Sequence, residues 1–158
     1  QFFFIHHMNP HPPFTDADCQ PLADGSYNEW DENGYRSSAQ CAMKRIREFV
    51  RELLQHDPGA IVVIQGDHGP ATNYDIKLPF ATLTPGALEE RLSIFNAIRL
   101  PPACKKGLTP VLGNVETINL VMNCLSGSEA TSPAPRSYVG FYKENPEFGR
   151  VYPVDLPR

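Results

Sequence analysis

The sequence predicts an α/β domain with a mostly parallel central sheet flanked by helices. Three observations carry that expectation. Two runs of strand-forming apolar residues, 2–8 and 60–64, lack the polar alternation of a half-exposed strand and read as buried strands. Between them lies a segment of about 20 residues with helical periodicity, so the three form a βαβ unit whose strands run parallel through a right-handed crossover. Polar clusters, Asn9-Pro10-His11 and Asp67-His68, follow closely on the two runs. In such sheets, sites form beyond the carboxyl ends of the strands.

Each element follows from its residues. The chain opens on Gln1-Phe2-Phe3-Phe4-Ile5 without an initiator Met, and a chain that begins inside a buried strand reads as a fragment. Residues 9–33, rich in Pro, Asp, Asn and Gly, form a long loop. Tyr35, Ala39, Ala42, Ile46, Phe49, Val50, Leu53 and Leu54 recur at three- and four-residue steps, which makes 35–56 an amphipathic helix. His56-Asp57-Pro58-Gly59 ends it. The run Ala60-Ile61-Val62-Val63-Ile64 is the second strand, closed by Gln65-Gly66-Asp67-His68-Gly69-Pro70. A short helix over 86–93 and a strand over 94–100 follow. Residues 114–126 are a helix with Val115, Ile118, Val121, Met122 and Leu125 on one face, capped by Asn114 and ended by Gly127. A Ser/Pro loop at 128–137 precedes short strands at 138–143 and 150–154. No internal repeat is present.

Composition sets the outer limits. The 158 residues suffice for one domain, and 41% hydrophobic with 20% charged residues is ordinary for a globular chain. Net charge is −4 and no Lys/Arg cluster exceeds a pair or triple, so a nucleic-acid footprint is absent. No run reaches the about 18 apolar residues that span a bilayer. The 16 prolines fall mostly at 10–21, 101–110 and 133–157, which points to long ordered loops. Four cysteines, Cys19, Cys41, Cys104 and Cys124, match no zinc module. Two disulfides in an oxidising compartment, most simply Cys19–Cys41 and Cys104–Cys124, stand beside four buried thiols as alternatives.

Three residues carry the candidate chemistry. Asp67 and His68 place a carboxylate and an imidazole side by side in a turn after a strand, an oxygen–nitrogen pair suited to a divalent metal. Gly66 and Gly69 allow the close backbone approach such a turn needs. The ordinary alternative is a turn Asp beside a solvated His. His11, in Met8-Asn9-Pro10-His11-Pro12-Pro13-Phe14, is held on a stiff loop where it can bond an oxyanion or protonate a leaving group. A His packed on proline rings is its ordinary alternative. His6 and His7 point to opposite faces of their strand, and His56 suits a helix C-terminus. Asp16, Asp18, Asp24, Asp31 and Glu32 make an acidic loop, by default a solvated surface. Arg91 lies within reach of an anion, although pairing with neighbouring Glu is its usual role.

The order strand, P-H-P-P-F, helix, strand, G-D-H-G-P resembles the C-terminal half of sulfatase-like proteins of the alkaline-phosphatase superfamily, the group of lipoteichoic acid synthase and phosphoethanolamine transferases. Arg91-Leu92-Ser93-Ile94-Phe95-Asn96-Ala97-Ile98-Arg99-Leu100-Pro101 is similar to that group's R-x-x-I-x-N-A-x-x-L-P. Val115-Glu116-Thr117-Ile118-Asn119 resembles its V-N-T-x-R, with Glu116 and Asn119 as departures. The likeness covers about residues 2–142.

The resemblance implies an alkaline-phosphatase-like sandwich, incomplete here, with residues 1–158 as the C-terminal portion of a single sulfatase-like domain. It implies a phosphoryl- or sulfuryl-ester hydrolase or transferase. Asp67 and His68 would be ligands of one divalent metal (Mn, Zn, Mg or Ca) and His11 would contact substrate or leaving group. No His follows His68, which favours one metal over two. The family's nucleophile and first acidic ligand lie upstream of the part resembled, so this chain alone is expected to be inactive. Implied partners are a phosphate- or sulfate-ester substrate, with lipid headgroups among the candidates, and the rest of a parent chain carrying membrane helices. The implied location is extracytoplasmic, with the parent anchored in an inner membrane. The competing reading is a non-catalytic extracytoplasmic module that binds a glycan or lipid headgroup.

Overall fold

Asp31 starts the longest element. Its carbonyl accepts from Tyr35 N at 2.9 Å and its Oδ1 from Asn33 N at 3.0 Å, which satisfies donors that a helix start leaves open. Helix α1 then runs over Glu32–His56. The computed structural model describes residues 1–22, 31–75, 77–104, 112–128 and 136–155. The expected loop residue Asp24 lies outside them. The chain divides into two compact units, Gln1–His56 and Asp57–Arg158.

In the N-terminal unit, the proline loop is stitched to the first turns of α1. Thr15 N donates to Ser38 Oγ at 2.7 Å, and Ser37 Oγ donates to Thr15 O at 2.7 Å. Asp16 Oδ1 accepts from the amides of Asp18 and Gln20, closing a small turn whose ends meet in a Thr15–Pro21 bridge. The Cys19–Cys41 disulfide spans loop and helix. Phe14 is buried with Ser38, Cys41 and Ala42, and Gly34 leaves the space its ring fills.

The C-terminal unit holds β1 (Val62–Gln65), α2 (Pro85–Leu92), β2 (Asn96–Arg99), α3 (Asn114–Ser126), β3 (Ser137–Gly140) and β4 (Val151–Val154), with 3-10 turns at Phe80–Thr82 and Pro102–Cys104. Thr84 caps α2 by accepting from Ala87 N, a bond contributing about 1 kcal/mol. Its core is Tyr74, Ala87, Val139 and Phe141, flanked by Phe80, Leu83, Leu92 and Tyr152. Phe80 stacks on Tyr152 at 4.4 Å between ring centroids. Asn145, itself buried, donates to Leu78 O at 2.9 Å, and Cys104–Cys124 ties the second 3-10 turn to α3.

The expected parallel sheet and alkaline-phosphatase-like sandwich are not what forms. The described residues make three helices and two separate two-stranded antiparallel sheets. β1 pairs antiparallel with β2, Val62 opposite Arg99 and Gln65 opposite Asn96. β3 pairs antiparallel with β4, Ser137 opposite Val154. Residues 1–8 form no strand, and Phe2, Phe3, Phe4 and Ile5 stand between 67% and 89% exposed. An apolar run sets a tendency to be buried but names no partner. The expected βαβ unit therefore falls at its first strand, and the second strand takes a neighbour later in the chain. The α3 face carrying Val115, Ile118, Met122 and Leu125 is likewise more than half exposed, whereas Thr117 is fully buried. Thr117 Oγ1 accepts from Asn96 Nδ2 at 2.7 Å, which turns this face of the helix toward β2, and donates to Gly113 O at 2.9 Å within its own first turn. Gly113 rather than Asn114 is the N-cap, and Gly127, at φ 68°, ends the helix as expected.

Two carboxylates set the response of this unit to acid. The Phe80 N–H, the Tyr152 hydroxyl and the nearby Arg150 hold Glu147 below its ordinary value of 4.5. Burial opposes ionisation of Glu90, but hydrogen bonds from Asn73 and Thr72 outweigh it and lower its pKa too. A depressed folded-state pKa contributes stability above the unfolded value, lost as pH falls through the folded one. The melting temperature is therefore expected to fall as pH drops below about 4.5, and Glu147→Gln should flatten that fall. Identical thermal melts of the two proteins at pH 6 and pH 3.5 would contradict it.

Candidate functional site

The segment that carries Asp67 and His68 is laced to the connection between α2 and β2. Past the β1–β2 ladder, Gly66 N donates to Phe95 O at 2.9 Å and Gly69 N to Arg91 O at 2.8 Å. The turn between these two bonds presents both side chains to solvent, Asp67 at 84% and His68 at 45% exposure. Of the flanking glycines, Gly69 is the constrained one. A Cβ there would strike the carbonyl oxygens of Glu90 and Ser93, whereas at Gly66 the nearest atom lies at an ordinary 3.4 Å.

Asp67 Oδ1 accepts from His68 N at 3.0 Å, which leaves Oδ2 facing His68 Nε2 at 3.5 Å. Two ligands of a tetrahedral ion at about 2.0–2.2 Å lie roughly 3.4 Å apart, so the pair has the spacing of one chelating edge. Among the described residues no group of three or more His, Cys, Asp or Glu comes together. The fit is thus that of two ligands, a half-site.

His68 Nδ1 has two neighbours with opposite demands. Gly69 O lies 2.9 Å away and can only accept, while Arg91 Nη1 lies 2.8 Å away and can only donate. With the proton on Nδ1, the Gly69 carbonyl orients the ring and Nε2 offers its lone pair beside Asp67, the arrangement a metal ligand needs. With Nδ1 bare, Arg91 holds the ring and Nε2–H turns to Asp67. Arg91 also donates to Gly69 O at 3.0 Å and rests over the Tyr74 ring, 5.6 Å from its centroid. The Glu that Arg91 was expected to pair with is engaged elsewhere, Glu90 accepting from Asn73 N and Nδ2 at 3.0 and 2.6 Å. Burial pushes the Tyr74 phenol above its ordinary value, against the pull of Arg91, so it remains a donor at neutral pH.

His11 belongs to the N-terminal unit. It is exposed on the proline loop, its amide donating to Met8 O at 2.8 Å and its Nδ1 2.8 Å from Pro12 O, which leaves Nε2 outward. His7 Nδ1 accepts from Asn9 N at 3.3 Å, and His6 meets the Phe4 ring edge-on, so neither sits in the strand expected for it. Asp67 and His68 are thus brought together, with Arg91 as a third member that sequence spacing did not single out. Its signal was only its place between a helix and a strand.

No family model matches the chain, and neither a curated protein nor a solved structure matches it.

Proposed function

We propose that the chain is part of a metal-dependent phosphoryl- or sulfuryl-ester hydrolase or transferase. In it Asp67 Oδ2 and His68 Nε2 supply two ligands to one divalent ion, Mn, Zn, Mg or Ca. The 3.5 Å separation of these two atoms is the observation that carries the reading. Gly69 O orients the imidazole through Nδ1–H, and the Asp67 Oδ1 bond to His68 N fixes the carboxylate so that Oδ2 faces the ring. A bound ion would act as Lewis acid on the ester oxygen and lower the pKa of the attacking group. His11, in the N-terminal unit, has its Nδ1 beside Pro12 O, and its imidazole is of the kind that bonds an oxyanion or protonates a leaving group. The nucleophile, and any lipid headgroup among the substrates, belong to the same proposal. So does an extracytoplasmic setting with a membrane-anchored parent, which the two disulfides support.

Equilibrium dialysis against Mn²⁺ and Zn²⁺, followed by elemental analysis, tests this. About one ion per chain at saturation is expected in the wild type, and none in Asp67→Ala/His68→Ala. Both side chains face solvent, so the double variant should keep its circular dichroism. Equal uptake by both proteins, or none by either, would remove the metal and leave a binding module.

A further inference from the structure

We propose that a cleft of about 290 Å³ in the C-terminal unit binds a small anionic ester bearing a flat ring, its charged head between Arg91 and Arg150 and its ring against Tyr142 and Phe148. The identification of the head as phosphoryl or sulfuryl rests on the reading above; the cleft does not.

The lining decides the charge. It contains two guanidinium groups, Arg91 and Arg150, and no carboxylate. Arg91 commits Nη1 to Gly69 O and lies over Tyr74, which leaves its other donors on a fixed plane. Glu147 Oε1 approaches Arg150 Nη1 only to 3.7 Å. That carboxylate also accepts from Phe80 N at 2.6 Å and the Tyr152 hydroxyl at 2.7 Å, and Tyr152 bonds the Arg150 side chain as well; Arg150 is largely exposed, so solvent screens its loose pairing with Glu147. A planar guanidinium fork, with five N–H donors, matches a tetrahedral oxyanion better than a point charge does.

The lining also decides the shape. Tyr142 and Phe148 are more than half exposed, although aromatic rings of this size gain by being covered. Tyr74 and Phe141, both buried, form the wall behind them. The volume lies at the low end for small-molecule sites, about 300–1,000 Å³, which suits one ring and one anionic group. Arg91 both lines the cleft and meets His68, so it links the cleft to the proposed metal ligands of the same unit.

Isothermal titration calorimetry on the EDTA-treated chain tests the cleft apart from the metal. The probes are phenyl phosphate, phenyl sulfate, inorganic phosphate and the uncharged phenyl glucoside. Phenyl phosphate or phenyl sulfate is expected to bind more tightly than both the ring alone and the anion alone, and the tighter of the two identifies the head group. Arg150→Ala and Arg91→Lys should each weaken it about tenfold. Arg150 is largely exposed, so its variant should fold, whatever becomes of Arg91→Lys. The titration is run without metal, so binding of the aryl esters by the EDTA-treated chain separates failure of the metal from failure of the cleft. Absence of binding by both aryl esters, or affinity unchanged in the Arg150 variant, would overturn the proposal.

Discussion

Gly69→Ala is expected to cost the C-terminal unit about 3 kcal/mol, measured as a lower urea midpoint at unchanged slope. The added methyl would lie 2.6 Å from Ser93 O and 3.1 Å from Arg91 O, with Glu90 O closer still. All three are backbone carbonyls at the end of α2, so no flexible side chain can move aside. Gly69 is also bonded to Arg91 in both directions, by Gly69 N to Arg91 O and Arg91 Nη1 to Gly69 O. Relief of the clash therefore requires the Gly-Asp-His-Gly turn to lift or the last turn of α2 to unwind, and either parts His68 from Arg91. Gly86→Ala is the matched control. Nothing lies within 4 Å of a Cβ there, and within α2 alanine is favoured by up to about 1 kcal/mol. A Gly69→Ala midpoint equal to that of Gly86→Ala would show that the turn is not docked on the helix.

Local features of this chain were legible and pairing was not. Helical periodicity, and glycine as a stop signal, located α1, α2 and α3 to within a few residues, because those signals lie within the element itself. The simplest cysteine pairing is the one formed, since each pair closes a short loop. Asp67 and His68 are adjacent, so their shared direction was readable from the turn. A strand partner, by contrast, lies far along the chain. β1 finds β2 across more than thirty residues and in the opposite sense to the crossover that two apolar runs and a helix suggest. The rotation of α3 was lost for a similar reason. Its apolar stripe predicts one buried face, yet the bond from Asn96 to Thr117 and the disulfide at Cys124 bury another. Arg91 shows the same limit at the site. Neighbouring glutamates suggested ion pairs, whereas its donors meet a carbonyl and an imidazole in a turn 22 and 23 residues earlier.

Loss of Cys19–Cys41 is expected to destabilise the N-terminal unit by about 3 kcal/mol, the loop-closure value for about 22 residues. Against the 5–15 kcal/mol of a typical domain this is a large share. A unit with one helix and a buried set of Phe14, Ser38, Cys41 and Ala42 has little else to oppose it. The loop from Thr15 to Pro21 is held by a few bonds to Ser37 and Ser38, each contributing about 1 kcal/mol. In Cys19→Ser/Cys41→Ser, amide exchange at Thr15, Asp16 and Leu22 should therefore rise sharply, while the amides in the middle of α1 change less. Unchanged exchange at those three amides, or four free thiols in the unreduced denatured protein, would sink the expectation. The functional consequence differs between the two units. His11 rides on the loop that the disulfide pins, whereas Asp67 and His68 are fixed by Gly66 and Gly69 within the other unit. The double serine variant should thus keep metal uptake while losing the fixed placement of His11, an outcome that a general unfolding of the chain would not produce.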